Sequence, residues 1–572
     1  MVDRRHVLFL GAAGGLAPLL AGQAASPSVT RDTIAACERF AGTAFSPSER
    51  TQMLAAVDEQ LDRLRQLRNI QLPNDLAPAE IFDPRLPGWK RRQTLAPPAR
   101  PLTAPRMPRD AESIAFAPAW QQQAWLSAGT IRSRDLVDIY LERIAQLASP
   151  LECFVEVLAD SARAEANAAD RARAKGQTRG PLHGLPYGLK DLIDAKGTLT
   201  TWGAEPWKER RATSDATIVT RLREAGAVLL AKTTCGAIAY GDIWHGGRTR
   251  NPWNPEEGSS GSSAGSAAAV SAGLCSFAIG TETMGSIMAP AERCGTVGLR
   301  PTFGRIPRSG AMALCWSLDK IGALARSTED MLPILQVLNG PDVQDPACYA
   351  EPLEPQPAIE PTNIRLGFRP EWFEGDASVA YARNALEAAR AAGFILVPIE
   401  MPATPTDLLS AIILVESAAA FEQLTLDNMD DQLAWQDHTA WPNTWRATRF
   451  EPAVGYVQAQ RLRRRLMQEF ANTMANVDAI LYPNGAPELL GIGNHTGYPA
   501  LTLPCGLLEQ PTRVGFERYV AVTAERPPEK HFRVPFNVSL IGHLFDEPRL
   551  LAMGAALAKT LDLNELRPPR WS

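Results

Sequence analysis

Between Gly258 and Ser276, glycine, serine and alanine fill all but three positions, which constrains the fold more than any other feature of the chain. Side chains this small let one backbone approach another closely. Residues 266–274 read as a small-residue helix and Phe277 to Ile279 as a short strand. The same alternation of helix and strand recurs on both sides. Ser133 is placed to cap a helix whose apolar face is Leu136, Val137, Tyr140, Leu141 and Ile144. Asp215 opens another, with Ile218, Val219 and Leu222 inward, and Gly226 stops it. Ala227 to Ala231 then reads as a buried strand, and residues 364–368 and 394–398 as later strands of the same sheet. The alternation predicts an α/β domain built on a central sheet. The charged helix at 457–474, with Arg461, Arg463, Arg464 and Arg465, reads as a solvated face.

The flanks of this domain differ from it. Arg4-Arg5 followed by an apolar run from Val7 to Ala21 has the pattern of a twin-arginine export signal, with residues 1–25 removed or kept as an anchor. The run is too short to span a bilayer comfortably. Residues 26–110 form a helical extension and a proline-rich linker. In the extension, Met53, Leu54, Val57, Leu61, Leu64 and Leu67 recur at helical spacing. The linker is rich in proline from Pro97 to Pro108 and is predicted to be extended. Residues 111–572 carry the main domain.

A formal net charge of -5 argues against nucleic acid and anionic membrane as partners. No later run is long and apolar enough to insert stably in a membrane. The eight cysteines are scattered without a C-x-x-C pair or metal-ligand spacing, so no metal or cofactor is expected. Most of them read as small buried hydrophobes.

Hydroxyls set among glycines supply nucleophiles and expose backbone N–H groups. No histidine lies in the stretch, but Lys190 in Gly184-Leu-Pro-Tyr-Gly-Leu-Lys-Asp191 offers a base. The combination resembles the amidase signature family of serine hydrolases. The motifs carrying the resemblance are Gly184–Asp191, Asp215–Thr217 with Leu230–Lys232, Gly261–Ala267, Gly280–Pro290, Cys294–Pro301 and Asn494–Ala500. The resemblance covers roughly residues 112–565. It implies a three-layer α/β/α fold with a large mixed central sheet, and a Ser-Ser-Lys triad. By position, Ser286 is the nucleophile, Ser262 the proton relay and Lys190 the general base. The family's cis peptide bond falls before the relay serine. The oxyanion donors fall on the backbone N–H groups of Thr283, Met284, Gly285 and Ser286.

Lysine serves as a base only when neutral, and burial achieves this by disfavouring the ammonium. The serine hydroxyl then loses its proton as it attacks. The chain departs from the family at three places. Met284 replaces a glycine, Glu282 an aspartate and Met288 an arginine, which predicts a less polar pocket without a cation at position 288. With Tyr240 and Trp316, the two methionines hint at an apolar or aromatic acyl group.

The expected activity is that of an exported amidase. It would hydrolyse a small-molecule carboxylic amide, aryl and peptide amides among the options, with a homodimer compatible. The alternatives are the amidase subunit of an aminoacyl-tRNA amidotransferase and a non-catalytic binding protein on the same fold. Gly261–Gly265 also fits G-x-S-x-G, which would make Ser263 the nucleophile with His438, His495, His531 or His543 as partner. That reading requires a preceding strand, and residues 251–257 read as a poor one.

Overall fold

In a computed structural model of the chain, eleven strands hydrogen-bond into one mixed sheet. In chain order they are β1 (Phe154–Val157), β2 (Pro186–Lys190), β3 (Val228–Thr233), β4 (Phe277–Glu282), β5 (Val297–Arg300), β6 (Lys320–Ala325), β7 (Arg365–Phe368), β8 (Ile395–Pro398), β9 (Ala479–Pro483), β10 (Ala500–Pro511) and β11 (His531–Ile541). Across the sheet the order is β1-β3-β2-β4-β6-β5-β10-β11-β9-β7-β8. Strands β2, β3 and β4 run parallel, as do β7, β8 and β9, and antiparallel pairs fill the middle. The structure describes residues 29–70, 72–92, 97–100, 102–374, 380–484, 486–513, 530–563 and 566–569. The expected export segment at 1–25 lies outside the described residues.

The chain divides into two compact units at Leu72/Pro73. In the first, helices Arg31–Ala41 and Pro47–Arg68 each begin with a capping box, and Arg50 forks onto Glu38 at 2.7 and 2.8 Å. The periodic residues of the second helix are present as expected, yet none of its side chains is buried.

In the second unit the predicted elements appear with shifted ends. The helix Ser133–Leu147 buries Leu136, Val137, Tyr140, Leu141 and Ile144, but its cap is Arg132, not Ser133. The Ser133 hydroxyl instead donates to Gly184 O at 2.6 Å, tying the helix to the loop before β2. Helix Thr217–Glu224 buries Ile218, Val219 and Leu222, and Gly226 follows it at a φ of 74°. Helix Ala453–Met474 is not solvated all along its arginines. Arg463 is buried and donates to His495 O at 2.7 Å and Ser317 O at 2.9 Å. Hydrogen-bond acceptors supplied by two other segments decide that, and helical spacing does not show them. The eight cysteines are free thiols, six of them buried. Among the described residues no helix is long and apolar enough to cross a membrane.

Strands β2, β3 and β4 are buried along their full lengths, as parallel strands covered on both faces must be. The small-residue helix Ala264–Ser271 is likewise buried at every position. The candidate site lies at the ends of β2 and β4, beside the loop that feeds this helix.

Candidate active site

Lys190 is the last residue of β2, and its side chain is fully buried. Its Nζ donates to Ser262 Oγ at 2.8 Å, Thr281 Oγ1 at 2.8 Å, Ser263 Oγ at 3.0 Å and Thr281 O at 3.3 Å. Burial lowers its pKa from the ordinary lysine range to about 7, against the opposing pull of Cys235, Asp319 and Glu282. A lysine in this setting exchanges its proton near neutrality. The adjoining Asp191 takes bonds from Thr201 and from the Gly203 N–H, which fix the turn that follows β2.

Ser262 sits in the loop before the small-residue helix, and the Gly261–Ser262 peptide is cis. The loop passes so close to its neighbour that a Cβ on Gly261 would lie 1.9 Å from Gly241 O. Only glycine fits there. The next residue, Ser263, donates its backbone N–H to Ser286 O at 3.0 Å. That bond sets the Ser262 loop and the Ser286 loop side by side.

Ser286 is nearly buried, at 8% exposure, between β4 and the helix Met288–Cys294. The backbone N–H groups of Met284, Gly285 and Ser286 donate to no described residue, which leaves them open to an oxyanion. Gly285 has a φ of 98°, the left-handed region that suits glycine. Thr283 is turned by its hydroxyl, which donates to Asp319 at 2.6 Å.

Glu282 holds this loop from below. Its carboxylate accepts the N–H groups of Ile287 at 2.9 Å and Met288 at 3.0 Å, Arg300 Nη1 at 2.9 Å and Asn494 Nδ2 at 3.0 Å. Burial alone would raise its pKa, but Arg300 and Lys320 hold it below the usual carboxylate range. One carboxylate thus serves both the Ser286 loop and Arg300.

Two expectations about the pocket change. Met288 is buried in a core cluster with Cys315 and Leu318 and lies outside the lining of the neighbouring cavity. Met284 is half-buried against the same cluster. The cavity that borders the site does carry cations, because Lys320 and Arg308 line it together with Asp319, Thr281 and Thr283. Arg308 is paired with Asp345 at 2.9 Å, whereas Lys320 is buried and lowered to about 7 by burial. Sequence reasoning missed Lys320. The signal was available, because β6 is buried throughout and a lysine at its first position is an anomaly.

The rival nucleophile, Ser263, has its hydroxyl committed. It donates to Thr281 O at 3.0 Å and accepts the Thr281 N–H at 3.1 Å. A strand at Asn254–Gly258 does precede it, contrary to expectation, but in a separate two-stranded ribbon and not in the main sheet. His495 lies buried on the helix Pro487–Thr496, not in a loop, and burial lowers its pKa to about 3. His543 bonds Val477 O at 2.9 Å. Among the described residues no group of histidine, cysteine and acidic side chains is arranged to hold a metal ion.

Residues 135–551 match the Amidase family. The chain is 32% identical over 481 residues to a glutamyl-tRNA(Gln) amidotransferase subunit of Synechococcus sp. (strain CC9605), covering 79% of this chain and 97% of the relative. The same subunit of Roseiflexus castenholzii is 32% identical over 497 residues, covering 78% and 96%. The structure of native peptide amidase from Stenotrophomonas maltophilia superposes with a TM-score of 0.66 at 29% identity, over 79% of this chain and 98% of that one. A bacterial aryl acylamidase shares the fold, with a TM-score of 0.66 at 20% identity over 79% and 99%. The chain belongs to the amidase signature family and is an amidase-family enzyme, with the large mixed sheet of that fold.

Proposed function

We propose that the protein cleaves a carboxylic amide through an acyl-enzyme on Ser286, with Ser262 passing the proton to and from Lys190. One observation carries this reading. The Nζ of a buried lysine with a pKa near 7 lies 2.8 Å from Ser262 Oγ, in the loop bonded to Ser286. Neutral Lys190 takes the Ser262 proton while Ser262 Oγ takes that of Ser286, and Ser286 Oγ attacks the amide carbon. The N–H groups of Met284, Gly285 and Ser286 face the oxyanion, each such donor being worth about 2.7–4 kcal/mol of barrier. The proton returns through Ser262 to the leaving nitrogen, the C–N bond breaks, and ammonia or an amine departs. Water then cleaves the ester by the same route.

Two fates for the released nitrogen remain distinct. The curated relatives favour an amidotransferase component that hands ammonia to a partner over a free-standing exported hydrolase. The exported reading is supported by Arg4-Arg5 and the apolar run behind it. The peptide amidase neighbour supports hydrolysis of an amide as such. Fractionation of cells expressing the full chain, with and without Arg4→Lys and Arg5→Lys, tests the choice. Activity outside the cytoplasm that the double variant abolishes supports export. Cytoplasmic activity that purifies with other proteins and rises when they bind supports the amidotransferase. An S286A variant that still releases ammonia from amides at the native rate sinks the proposal in either form.

A further inference from the structure

The family match begins at residue 135, yet part of the wall beside the candidate site comes from far upstream. Asn74 clamps this upstream segment. Its Nδ2 donates to Ala313 O at 2.9 Å and Ala420 O at 3.3 Å, and its Oδ1 accepts the Ala313 N–H at 2.8 Å. Its main-chain carbonyl accepts Trp316 Nε1 at 3.1 Å. A single residue thus joins the segment to the loop around Ala313 and to the end of the helix Ser410–Ala420, both more than two hundred residues downstream, and its main-chain carbonyl fixes the Trp316 indole.

Further along, the segment is fastened again. Tyr349 OH donates to Phe82 O at 2.7 Å, and the Phe82 ring lies 3.4 Å beneath the Arg463 guanidinium and 5.0 Å from the Phe303 ring. Arg85 pairs with Glu351 at 2.8 Å. Between the two fastenings Leu76 and Ile81 are exposed, at 56% and 43%. The strap is therefore held at its ends and not by burial along its length.

Asp75 and Ala77 line a cavity of about 100 Å³ whose lining also includes Thr281 and Thr283. Thr281 Oγ1 accepts from Lys190 Nζ, and Thr283 leads into the free N–H groups of Met284 to Ser286. The cavity thus abuts both the relay and the oxyanion loop. It is smaller than the roughly 150 Å³ cavity that accommodates a benzene ring. Trp316, held by the strap, also lines it.

We propose that the strap from Asn74 to Arg85 is a fixed wall of the acyl subsite, with Asn74 as its clamp. It restricts the enzyme to small aliphatic acyl groups and excludes aryl ones. This rests on Ser286 as the nucleophile. The wall acts on the size of the acyl group and takes no part in the proton relay. Removing the Asn74 side chain strips Ala313 and Ala420 of their partners and frees the strap to move outward, which enlarges the subsite. Filling the cavity from the strap side has the opposite effect.

The test measures sulfonylation of Ser286 by methanesulfonyl fluoride and by phenylmethanesulfonyl fluoride, followed by mass spectrometry of the peptide containing Ser286. The two reagents differ in the size of the group that occupies the acyl side, and neither depends on the natural substrate. In the full-length N74A variant the ratio of phenylmethyl to methyl rates rises about tenfold or more, the scale on which hydrophobic pockets discriminate by size. In A77F, at a half-exposed position that tolerates bulk, the methyl rate falls about tenfold or more as the ring fills the cavity. A rate pattern within about twofold of the native one in either folded variant, far inside that range, overturns the strap's role and leaves Ser286 standing as nucleophile. Failure of both reagents to label Ser286 in the native protein overturns the nucleophile and this proposal with it.

Discussion

Replacing Glu282 by glutamine keeps the volume and removes one negative charge from beneath the nucleophile loop. The native carboxylate accepts four hydrogen bonds, and both it and Arg300 are fully buried. The amide of glutamine brings an NH₂ group where every neighbour is already a donor, so at least one contact is lost. Arg300 is left without its counter-charge in a site closed to water. Breaking one side of a buried pair costs about 3–5 kcal/mol. For about 500 residues, an unfolding entropy of about 2.1 cal/mol/K per residue turns that loss into about 3–5 °C of melting temperature. The unit in question is Pro73–Ser572.

The same substitution acts on the base. The charge of Glu282 raises the pKa of Lys190, so neutralising it lets that pKa fall further below about 7. The neutral amine is the active form, and it then persists to lower pH. The acid limb of the rate profile therefore moves to lower pH in E282Q, even as the maximal rate drops because the nucleophile loop has lost an anchor. Scanning calorimetry gives the first number, and the pH dependence of Ser286 sulfonylation gives the second. An unchanged melting temperature, or an acid limb displaced to higher pH, rules out these roles for the Glu282 charge.

Three further outcomes follow from the geometry. G261A forces a methyl group to within 1.9 Å of Gly241 O, so the relay loop shifts and turnover falls about 10²-fold, while the protein still folds as judged by circular dichroism. H495A and H543A lower thermal stability, but each leaves the single-turnover rate of Ser286 acylation within about threefold of native, because neither ring takes part in a proton relay. Stability rises between about pH 7 and 8.5, because buried Lys190, Lys232 and Lys320 are lowered to about 7, 8 and 7 while the unfolded chain keeps its lysines protonated. Above about pH 8.5 it falls, because buried thiols such as Cys153, Cys235, Cys275 and Cys294 are pushed well above their ordinary range and the unfolded chain's thiols ionise first. Melting temperatures recorded from pH 6 to 10 check the maximum, and a monotonic trend contradicts it.

Motif and spacing are enough to place Lys190, Ser262 and Ser286 in one neighbourhood, because each stands in a local backbone geometry that glycine and small residues announce. The central sheet is legible for the same reason, since buried strands and amphipathic helices carry their periodicity with them. Contacts between distant segments leave no such mark. Arg463 reads as solvated because its helix is charged, yet its acceptors come from His495 and Ser317. Met288 neighbours the nucleophile in sequence, which suggests a pocket residue, but the helix it begins turns it into the core. The clamp at Asn74 is hidden in an extension whose composition suggests only a linker. Lys320 is the one omission with a visible cue, a charge at the head of a buried strand.

The central claim is that a neutral, buried Lys190 is the base that activates Ser286 through Ser262. Its most direct test is the pH dependence of the single-turnover acylation rate at Ser286 in the native enzyme, followed by mass spectrometry. The expected rate is constant above neutrality and falls tenfold per pH unit below an apparent pKa of about 7, the value to which burial brings Lys190. A rate that stays flat into strongly acid solution, or that begins to rise only near the pKa of an ordinary exposed lysine, contradicts it.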